Sequence, residues 1–505
     1  MLTPHTFMRS LLDETFKQAD REPMPSRHMP ALALAVLTAV RLLVAAFTPL
    51  SPDEAYYWVW SQALQTGYLD HPPMVALWIW LGTALAGNTA LGVRLLGPLA
   101  AAAGSALLWR AAEDLFPGRR AGVPAAALLN ATLLLGAGAV TMTPDTPLIL
   151  FWTAALASLA RLHRTGDARW WLAVGAVAGL ALLSKYTAAL LGAGVVLWLL
   201  APGRRRWFGA WQLWAGGALA AALFAPVVAW NAGQGWAGFA KQGGRVNDWD
   251  PAGALRTLGE LVAGQVGLAT PLVFVLLAAG TVAAVRGATR RDGAWALLAA
   301  LIVPGVAVFV QHAFGNRVQA NWPAIVYPAA AIAGGALGWR LWRPAAALGL
   351  ALTGAVYLQS AAAPFALPRR LDPTLIRLGG WNQLARDLDA LRLEQGAAFA
   401  ASENYGAASV LAFYLPGVPV LGAEPRWRFI RLPPGVGVTS VGEPGVLLAS
   451  ERRSEPPDPA VWASATLVGR LLRARGGVEA EAYRVYRVTL KPGAAAVELP
   501  GGERR

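Results

Sequence analysis

The amino-acid sequence predicts a polytopic α-helical membrane protein that carries a small soluble α/β domain at its C-terminal end. Three observations support this fold class. The 505 residues are 56% hydrophobic and only 14% charged, whereas soluble domains average about 45–50% apolar and about 25% charged residues. Long apolar runs alternate with short polar connections up to about residue 360, and after residue 361 the apolar runs become short and are separated by Gly, Pro and charges.

The apolar runs predict about eleven transmembrane helices, since a helix needs about 20 mostly apolar residues to cross a bilayer. The runs lie near 30–50, 89–109, 122–141, 147–162, 169–183, 187–201, 211–230, 257–285, 294–312, 322–338 and 344–360. Residues 74–87 form an apolar run that is too short to cross, so we expect an interfacial or re-entrant helix there.

The distribution of positive charge predicts the orientation. Arginines cluster in every second connection, at 110–120, 161–169, 204–206, 286–291 and 340–343, whereas residues 51–88 contain no Lys or Arg. By the positive-inside rule, residues 1–29 are a cytoplasmic segment that leads into an uncleaved first helix, and residues 51–88 form an external loop. The net charge of +14 is therefore a topology signal, not a sign of nucleic-acid binding, and we expect a multi-pass protein of the inner (plasma) membrane.

The last third of the chain predicts a different kind of structure. Residues 361–505 contain short runs such as GVLLAS and AYRVYRVTL that are typical of strands. About 145 residues suffice for one core, so we expect an extracytoplasmic α/β domain with a frayed end after Lys491. The chain contains no cysteine, which excludes disulfides, thiolate metal sites and a cysteine nucleophile.

The acidic pair Asp53-Glu54 is the strongest functional signal. It directly follows the first apolar run and precedes the aromatic string YYWVW, which begins with Tyr56 and Tyr57. Carboxylates are costly in hydrocarbon, so a pair at the boundary indicates a reaction site beneath an interfacial aromatic belt. We predict Asp53 as a general base, with Glu54 beside it. The alternative is a polar helix end that faces the headgroups.

The other external connections add polar residues close to the apolar boundary: Asp70 and His71 in YLDHPPM, Asp145 in TPDTP, Lys185 and Tyr186 in SKY, and Arg317 and Asn321 in GNRVQANW. Carboxylates can accept a hydroxyl proton while fixed cations stabilise a departing phosphate. This set predicts transfer of a sugar from a lipid-linked phosphate to a hydroxyl acceptor. In it Asp145 is a second catalytic carboxylate, Lys185 and Arg317 bind the phosphate, and Tyr57, Asp70, His71, Tyr186 and Asn321 bind substrate.

Simpler roles stand beside these predictions. Asp145 is also a good helix N-cap, and Lys185 and Arg317 can extend to the interface without a ligand. His71 is more typical of packing against prolines than of metal binding. Arg41 lies inside the first span and requires a polar partner, since an ionised group in lipid is costly. Glu260, near the outer end of the eighth predicted span, lies either close to the site or at the interface.

The motifs SPDEAYYW, YLDHPPM, TPDTP, SKY and QANWPA resemble those of the GT-C superfamily of membrane glycosyltransferases, in the PMT-like bacterial branch that includes aminoarabinose and galacturonic acid transferases. The resemblance covers about residues 30–340, and LAFYLPG resembles the soluble tail of some members. It implies a polyprenyl-phosphate sugar donor, inversion at the sugar, and catalytic acidic residues at Asp53 and Asp145. The acceptor is a glycolipid, such as lipid A or core oligosaccharide, or a protein, and the need for a divalent cation stays open.

Three other functions would be expected to show different patterns of polar residues. A transporter or lipid-handling permease places ionisable groups near the bilayer midplane and often has repeated halves, whereas these groups gather at one interface. An O-antigen type polymerase or ligase concentrates its key groups in one large external loop. A scaffolding protein scatters its polar groups.

Overall fold

The computed structural model of the protein describes residues 28–243, 249, 251–432, 441–453 and 455–501. The helices of the first half are α1 (His28–Phe47), α2 (Pro52–Ser61), α3 (Met74–Ala86), α4 (Ala90–Arg94), α5 (Leu96–Leu115), α6 (Gly122–Asn130), α7 (Leu133–Ala139), α8 (Asp145–Thr165), α9 (Trp170–Leu182) and α10 (Ala189–Leu199). The following helices are α11 (Trp211–Gly233), α12 (Ala237–Gly243), α13 (Ala254–Ala269), α14 (Pro271–Thr289), α15 (Gly293–Ala313), α16 (Tyr327–Gly335) and α17 (Trp342–Ala361).

Many of these helices are apolar, as the sequence predicts. Within the described ranges, five are long and apolar enough to cross a membrane: α1, the run Ala90–Leu115, α11, α14 and α15. A sixth is added if the pair α6 and α7, bent by 70°, counts as one broken span. The apolar helices α3, α9 and α10 are shorter.

Two predicted spans differ from the structure. The single span at 257–285 is wrong, because the chain breaks between α13 and α14 at Thr270, whose φ is +69°. Pro271 begins α14 and cannot continue a helix from α13, since it lacks an amide donor and restricts the residue before it. The span at 122–141 is bent because the Thr132 side chain caps α7 by accepting a hydrogen bond from the amide of Leu135.

Small residues allow the helices to approach closely. A Cβ atom on Gly175 of α9 would collide with the backbone of Gly216 in α11. Glycine pairs of this kind let membrane helices gain van der Waals contact in the absence of a strong hydrophobic driving force. The helical part therefore packs through backbone proximity as well as through buried large side chains such as Trp152, Trp171 and Trp198.

The C-terminal part is built from helices around one mixed sheet. Its elements are α18 (Pro373–Arg377), α19 (Trp381–Glu394), β1 (Phe399–Ser402), α20 (Tyr405–Tyr414), β2 (Val420–Gly422), β3 (Pro444–Ser450), β4 (Trp462–Arg475), β5 (Val478–Leu490) and β6 (Val497–Leu499). The strand order is β4-β5-β3-β1-β2-β6, with β1 parallel to β2 and β3 and the other pairs antiparallel. Because β6 pairs with β2, the frayed end predicted after Lys491 is wrong for these residues.

The sheet part docks onto α2 by way of α20. Gly406 lies so close to Pro52 that a Cβ atom added to it would be 2.8 Å from the Cβ of Pro52. Trp58 of α2 packs edge-on against Phe413, with 5.1 Å between the ring centroids. The aromatic string of α2 is buried, with Trp58 and Trp60 both 0% exposed. These aromatic residues therefore form a core with the C-terminal part, and the predicted interfacial belt is wrong for them.

Candidate active site

One cavity of about 850 Å³ gathers most of the polar residues singled out from the sequence. Its charged lining residues are Asp53, Asp70, Asp145, Lys185, Arg317, Arg377 and Arg426, together with the imidazoles of His71 and His312. Tyr57 and Asn321 also line it. Another part of the wall is apolar and comes from α5, α7 and α8, with residues such as Ala100, Leu134 and Leu150.

Asp145, Lys185 and Asn321 form a group that we refer to as the helical cluster. Lys185 Nζ lies 2.7 Å from one carboxylate oxygen of Asp145, and Asn321 Nδ2 donates to the other oxygen at 2.7 Å. Asp145 is the first residue of α8 but does not cap it, since the N-cap is Pro144 and makes no side-chain cap bond. The N-cap alternative for Asp145 is therefore wrong. Lys185 is 8% exposed and its ammonium is held inside the cavity wall, which does not fit a side chain that extends to the interface.

A second group, which we refer to as the docked cluster, contains Asp53 and Asp70 with Tyr405 and Arg426 from the C-terminal part. The hydroxyl of Tyr405 donates to Asp53 Oδ1 at 3.1 Å. Arg426 lies 3.4 Å from Asp70 and stacks over the ring of Tyr405 with its guanidinium carbon 3.7 Å from the centroid. Within the described ranges Asp53 makes no ion pair, so its half-buried carboxylate faces the cavity with a tyrosine as its polar neighbour.

Asp70 is the most heavily paired carboxylate of the cavity. It accepts hydrogen bonds from Lys241 Nζ at 2.6 Å and from the Tyr56 hydroxyl at 3.0 Å. Burial alone would raise the pKa of the Asp70 carboxyl, but Lys241 and the charge of Arg426 outweigh it and hold the pKa below its ordinary value. Asp70 is therefore an anionic residue that joins the loop between α2 and α3 to α12 and to the C-terminal part. Its neighbour His71 faces the ring of Tyr57 edge-on at 6.2 Å.

Glu54 lies outside the cavity lining. Its carboxylate is 0% exposed and forms a bidentate pair with the buried Arg94, with 2.7 Å between Oε2 and Nη2. It also completes a capping box with Ser51 and accepts the amide of Met142 at 2.9 Å. Arg94 in turn donates to the carbonyl oxygens of Thr48 and Pro49. Both oxygens of Glu54 are therefore used to join α2 to α4 and to the loop before α8, a role that does not fit a catalytic carboxylate.

Two further predicted residues sit at the margin or outside the cavity. Arg317 lines the cavity but is 74% exposed at its side chain and lies 3.2 Å from Glu260. This pair also places Glu260 at the edge of the site. Tyr186 does not line the cavity. Its hydroxyl accepts from Asn231 at 3.4 Å and its ring packs edge-on against Phe239.

Several residues of the site were missed in the sequence. Tyr405, Arg377 and Arg426 come from the C-terminal part and carry no local signal of a site, since Tyr and Arg are common in soluble domains. Arg94 did carry one, because a charge inside an apolar run requires a partner. The same rule applies to Arg41, whose partners are now visible as Asn130 Oδ1 at 2.8 Å and the Tyr357 hydroxyl at 3.2 Å.

Within the described residues, no group of three or more His, Cys, Asp or Glu side chains is placed to hold a metal ion. The Asp70 oxygens are occupied by Lys241, Tyr56 and Arg426, and those of Asp145 by Lys185 and Asn321.

Comparisons with known proteins relate the chain to membrane glycosyltransferases. The sequence profile of the dolichyl-phosphate-mannose-protein mannosyltransferases matches residues 70–230. The lipid A galacturonosyltransferase RgtD of Rhizobium johnstonii is 28% identical over 364 residues, which cover 70% of this chain and 75% of RgtD.

Two crystal structures of ArnT from Cupriavidus metallidurans share the fold over nearly the whole chain. The apo form superposes with a TM-score of 0.58 at 18% identity and covers 90% of this chain and 97% of ArnT. The form bound to undecaprenyl phosphate gives 0.59 at 17% identity and covers 92% and 98%.

Proposed function

We propose that this chain is a member of the PMT-like bacterial branch of the GT-C membrane glycosyltransferases and that it transfers a monosaccharide from a polyprenyl-phosphate carrier to lipid A or another cell-envelope acceptor. RgtD is named for transfer to lipid A, and ArnT binds undecaprenyl phosphate. Both names support this substrate class. Core oligosaccharide, another glycolipid or a protein hydroxyl are the other acceptors that the same chemistry would serve.

The observation that carries the proposal is the composition of the cavity. The cavity contains Asp53, a carboxylate that makes no ion pair among the described residues. It also contains the cations of Lys185 and Arg317 and an apolar wall from α5, α7 and α8. A lipid-linked sugar phosphate presents an apolar tail, an anion and a sugar, and each has a matching surface here. The polyprenyl tail would lie along the apolar wall and the phosphate near the cations.

Asp53 acts as the general base in this proposal. It takes the proton of the acceptor hydroxyl while the acceptor oxygen attacks the anomeric carbon, and the bond between that carbon and the phosphate oxygen breaks with both electrons leaving on the phosphate. Attack from the side opposite to the phosphate inverts the sugar. A positioned base contributes about 10²–10⁴-fold to such a step. Tyr405 fixes the orientation of Asp53 through its hydrogen bond.

The helical cluster stabilises the leaving phosphate. Lys185 supplies a compact positive charge, and Asp145 and Asn321 hold it in place, so that its charge is oriented before the reaction begins. Arg317 adds a planar guanidinium at the cavity margin, where it can exchange Glu260 for a phosphate. Asp145 therefore contributes by positioning the Lys185 ammonium. Tyr57, Asp70 and His71 line the part of the cavity that would bind the sugar. Glu54 and Tyr186 we assign to structural support.

The proposed topology follows the charge pattern with one change. We propose that residues 30–360 form a transmembrane domain of about eleven spans in the inner membrane, with residues 1–29 in the cytoplasm and with the cavity, the loop 51–88 and the domain 361–505 outside. In this arrangement α14 is the eighth span, and α13 lies along the outer interface. The exposed apolar side chains of α13, such as Leu255 and Val262, are suited to that position.

The test is a transfer assay with the purified full-length protein. Polyprenyl-phosphate carriers labelled in the sugar, with galacturonic acid, aminoarabinose, mannose or glucose, are each incubated with lipid A. We expect one sugar to appear on lipid A, with an equal amount of free polyprenyl phosphate. If every label stays on its carrier with lipid A, core oligosaccharide and peptide acceptors alike, the proposal is wrong. Movement of intact carrier across vesicles without transfer would favour the permease.

A further inference from the structure

Among the described residues, three of the four Lys and Arg side chains that line the cavity are paired inside the protein. Lys185 pairs with Asp145, Arg426 with Asp70 and Glu424, and Arg317 with Glu260. Arg377 also lines the cavity and is exposed. Among the described residues its side chain makes no ion pair or hydrogen bond, so a guanidinium with its full donor set faces the site.

The turn that presents Arg377 is held firmly. Arg377 is the last residue of α18, whose N-cap Asp372 is 2% exposed. The Asp372 carboxylate accepts hydrogen bonds from the Leu375 amide at 3.0 Å and from Arg475 at 2.8 Å. It also accepts one at 2.7 Å from Gln359, which belongs to α17. The start of α18 is therefore fixed to both parts of the molecule.

A second buried charge fixes the other end of the turn. Arg473, 2% exposed, donates to the carbonyl oxygens of Leu375 at 3.1 Å and Gly379 at 2.8 Å, on either side of Arg377. Its guanidinium also lies over the ring of Trp381, 4.3 Å from the centroid. A buried charge is costly unless it is well bonded, and here Glu481 lies 3.4 Å from the guanidinium while the other bonds go to the backbone around Arg377. The backbone around Arg377 is therefore held in place, while the Arg377 guanidinium makes no hydrogen bond or ion pair among the described residues.

We propose that Arg377 is an anion-binding residue of the substrate site, which engages a phosphate or a sugar carboxylate of a bound substrate. The inference rests on the proposed transfer reaction and adds to it a binding role for the C-terminal domain. A guanidinium on a fixed backbone loses little freedom on binding and matches an oxyanion with two parallel hydrogen bonds. The anion belongs to the carrier phosphate, to a uronic acid sugar or to a phosphate of the acceptor.

The test compares Arg377→Gln with Arg370→Gln in the full-length protein. Arg370 is an exposed arginine of the neighbouring turn that does not line the cavity, so its loss removes the same charge without touching the site. Loss of a charge-assisted hydrogen bond should raise one KM about tenfold in Arg377→Gln, with kcat little changed, and Arg370→Gln should behave as wild type. Arg377→Lys keeps the charge and should recover part of the affinity.

Three arms identify the anion. Weaker binding of undecaprenyl phosphate points to the carrier. A raised KM for uronic acid donors but not for neutral sugar donors points to the sugar. A raised KM for lipid A but not for dephosphorylated lipid A points to the acceptor. All three support the inference.

The inference is overturned if Arg377→Gln has the KM values and carrier affinity of wild type, or if Arg370→Gln shows the same losses. If Arg377→Gln fails to fold, Arg377→Lys decides, since unchanged KM values and carrier affinity across all arms would exclude a role for the guanidinium fork. These outcomes contradict only the role of Arg377 if the wild-type protein transfers sugar. If the wild-type protein forms no product, the proposed function itself is wrong.

Discussion

The helical cluster and the docked cluster hold similar chemistry but are assembled differently. In the helical cluster, Asp145 begins α8 while Lys185 and Asn321 lie in connections between apolar helices, and each of the three was predicted from its motif. In the docked cluster, Asp53 meets Tyr405, which lies 352 positions later in the chain. Functional residues at a membrane boundary can be recognised in the sequence, because polar groups are costly there. The residues that a docked soluble domain adds to the site have no such signal.

The largest effect should come from the docked cluster. Asp53→Asn removes the proposed base while keeping the shape of the side chain, so we expect the protein to fold and insert but to lose about 10²–10⁴-fold in turnover. Turnover of the purified variant with carrier-linked sugar and acceptor measures this. Asp387→Asn, in α19 and outside the cavity lining, is the matched control and should retain wild-type turnover. An Asp53→Asn enzyme as fast as the control would remove Asp53 from the mechanism.

The neighbouring carboxylate should behave in the opposite way. Glu54→Gln leaves Arg94 as a buried charge without its counter-ion, which should cost about 3–5 kcal/mol of stability. We expect a lower thermal midpoint and a lower yield of folded protein, while the folded fraction keeps its turnover per molecule. Thermal unfolding in detergent and active-site-normalised turnover separate the two quantities. A Glu54→Gln variant that is stable but inactive would indicate a catalytic role for Glu54.

The helical cluster should control donor binding. Lys185→Ala removes the charge that Asp145 and Asn321 hold in place, and we expect about a tenfold loss of affinity for undecaprenyl phosphate. Equilibrium binding to the purified protein measures it. Arg164→Ala, a cation of the last turn of α8 outside the cavity lining, provides the comparison. Equal affinities for Lys185→Ala and wild type would mean that Lys185 has no contact with the phosphate.

Loss of the hydrogen bond between Tyr405 and Asp53 should have a smaller effect. Tyr405→Phe removes the donor to Asp53 without changing the ring that packs on Tyr56, and loss of one hydrogen bond of about 1 kcal/mol corresponds to roughly fivefold. We expect kcat to fall by about that factor with the donor KM unchanged. Tyr486→Phe in β5 serves as the control. A change in KM alone would show that Tyr405 contacts substrate instead of orienting the base.

The smallest effect concerns pH. Because the pKa of Asp70 is held below its ordinary value of 3.8, its ion pairs stabilise the protein above that pH and lose this contribution as the pH falls through the lowered pKa. Asp70→Asn should therefore lower the thermal midpoint at pH 6–8, and the difference from wild type should begin to close below about pH 4 and disappear only below the lowered pKa of Asp70. A difference that persists unchanged into acid would mean that packing, not charge, is responsible.

The parts that the sequence could predict are those governed by the bilayer. Periodic apolar runs predicted most helices, and the cost of charge at the boundary selected Asp53, Asp145 and Lys185. The break at Thr270 was missed because α13 and α14 are continuous in hydrophobicity, and only the backbone before Pro271 separates them. Glu54 and Asp53 could not be told apart because neighbouring positions on a helix point in different directions, and the burial of Arg94 decides which carboxylate is occupied.

The close seating of Gly406 on Pro52 has an evolutionary and practical consequence. We expect that neither part can be exchanged or removed on its own, since cutting the chain after α17 would uncover the aromatic residues of α2 and remove the Tyr405 hydrogen bond to Asp53. A chimera that takes the sheet from a relative would also have to take α2 and the loop that follows it. We therefore expect substitutions in α2 and its following loop to occur together with substitutions in the C-terminal part among homologues.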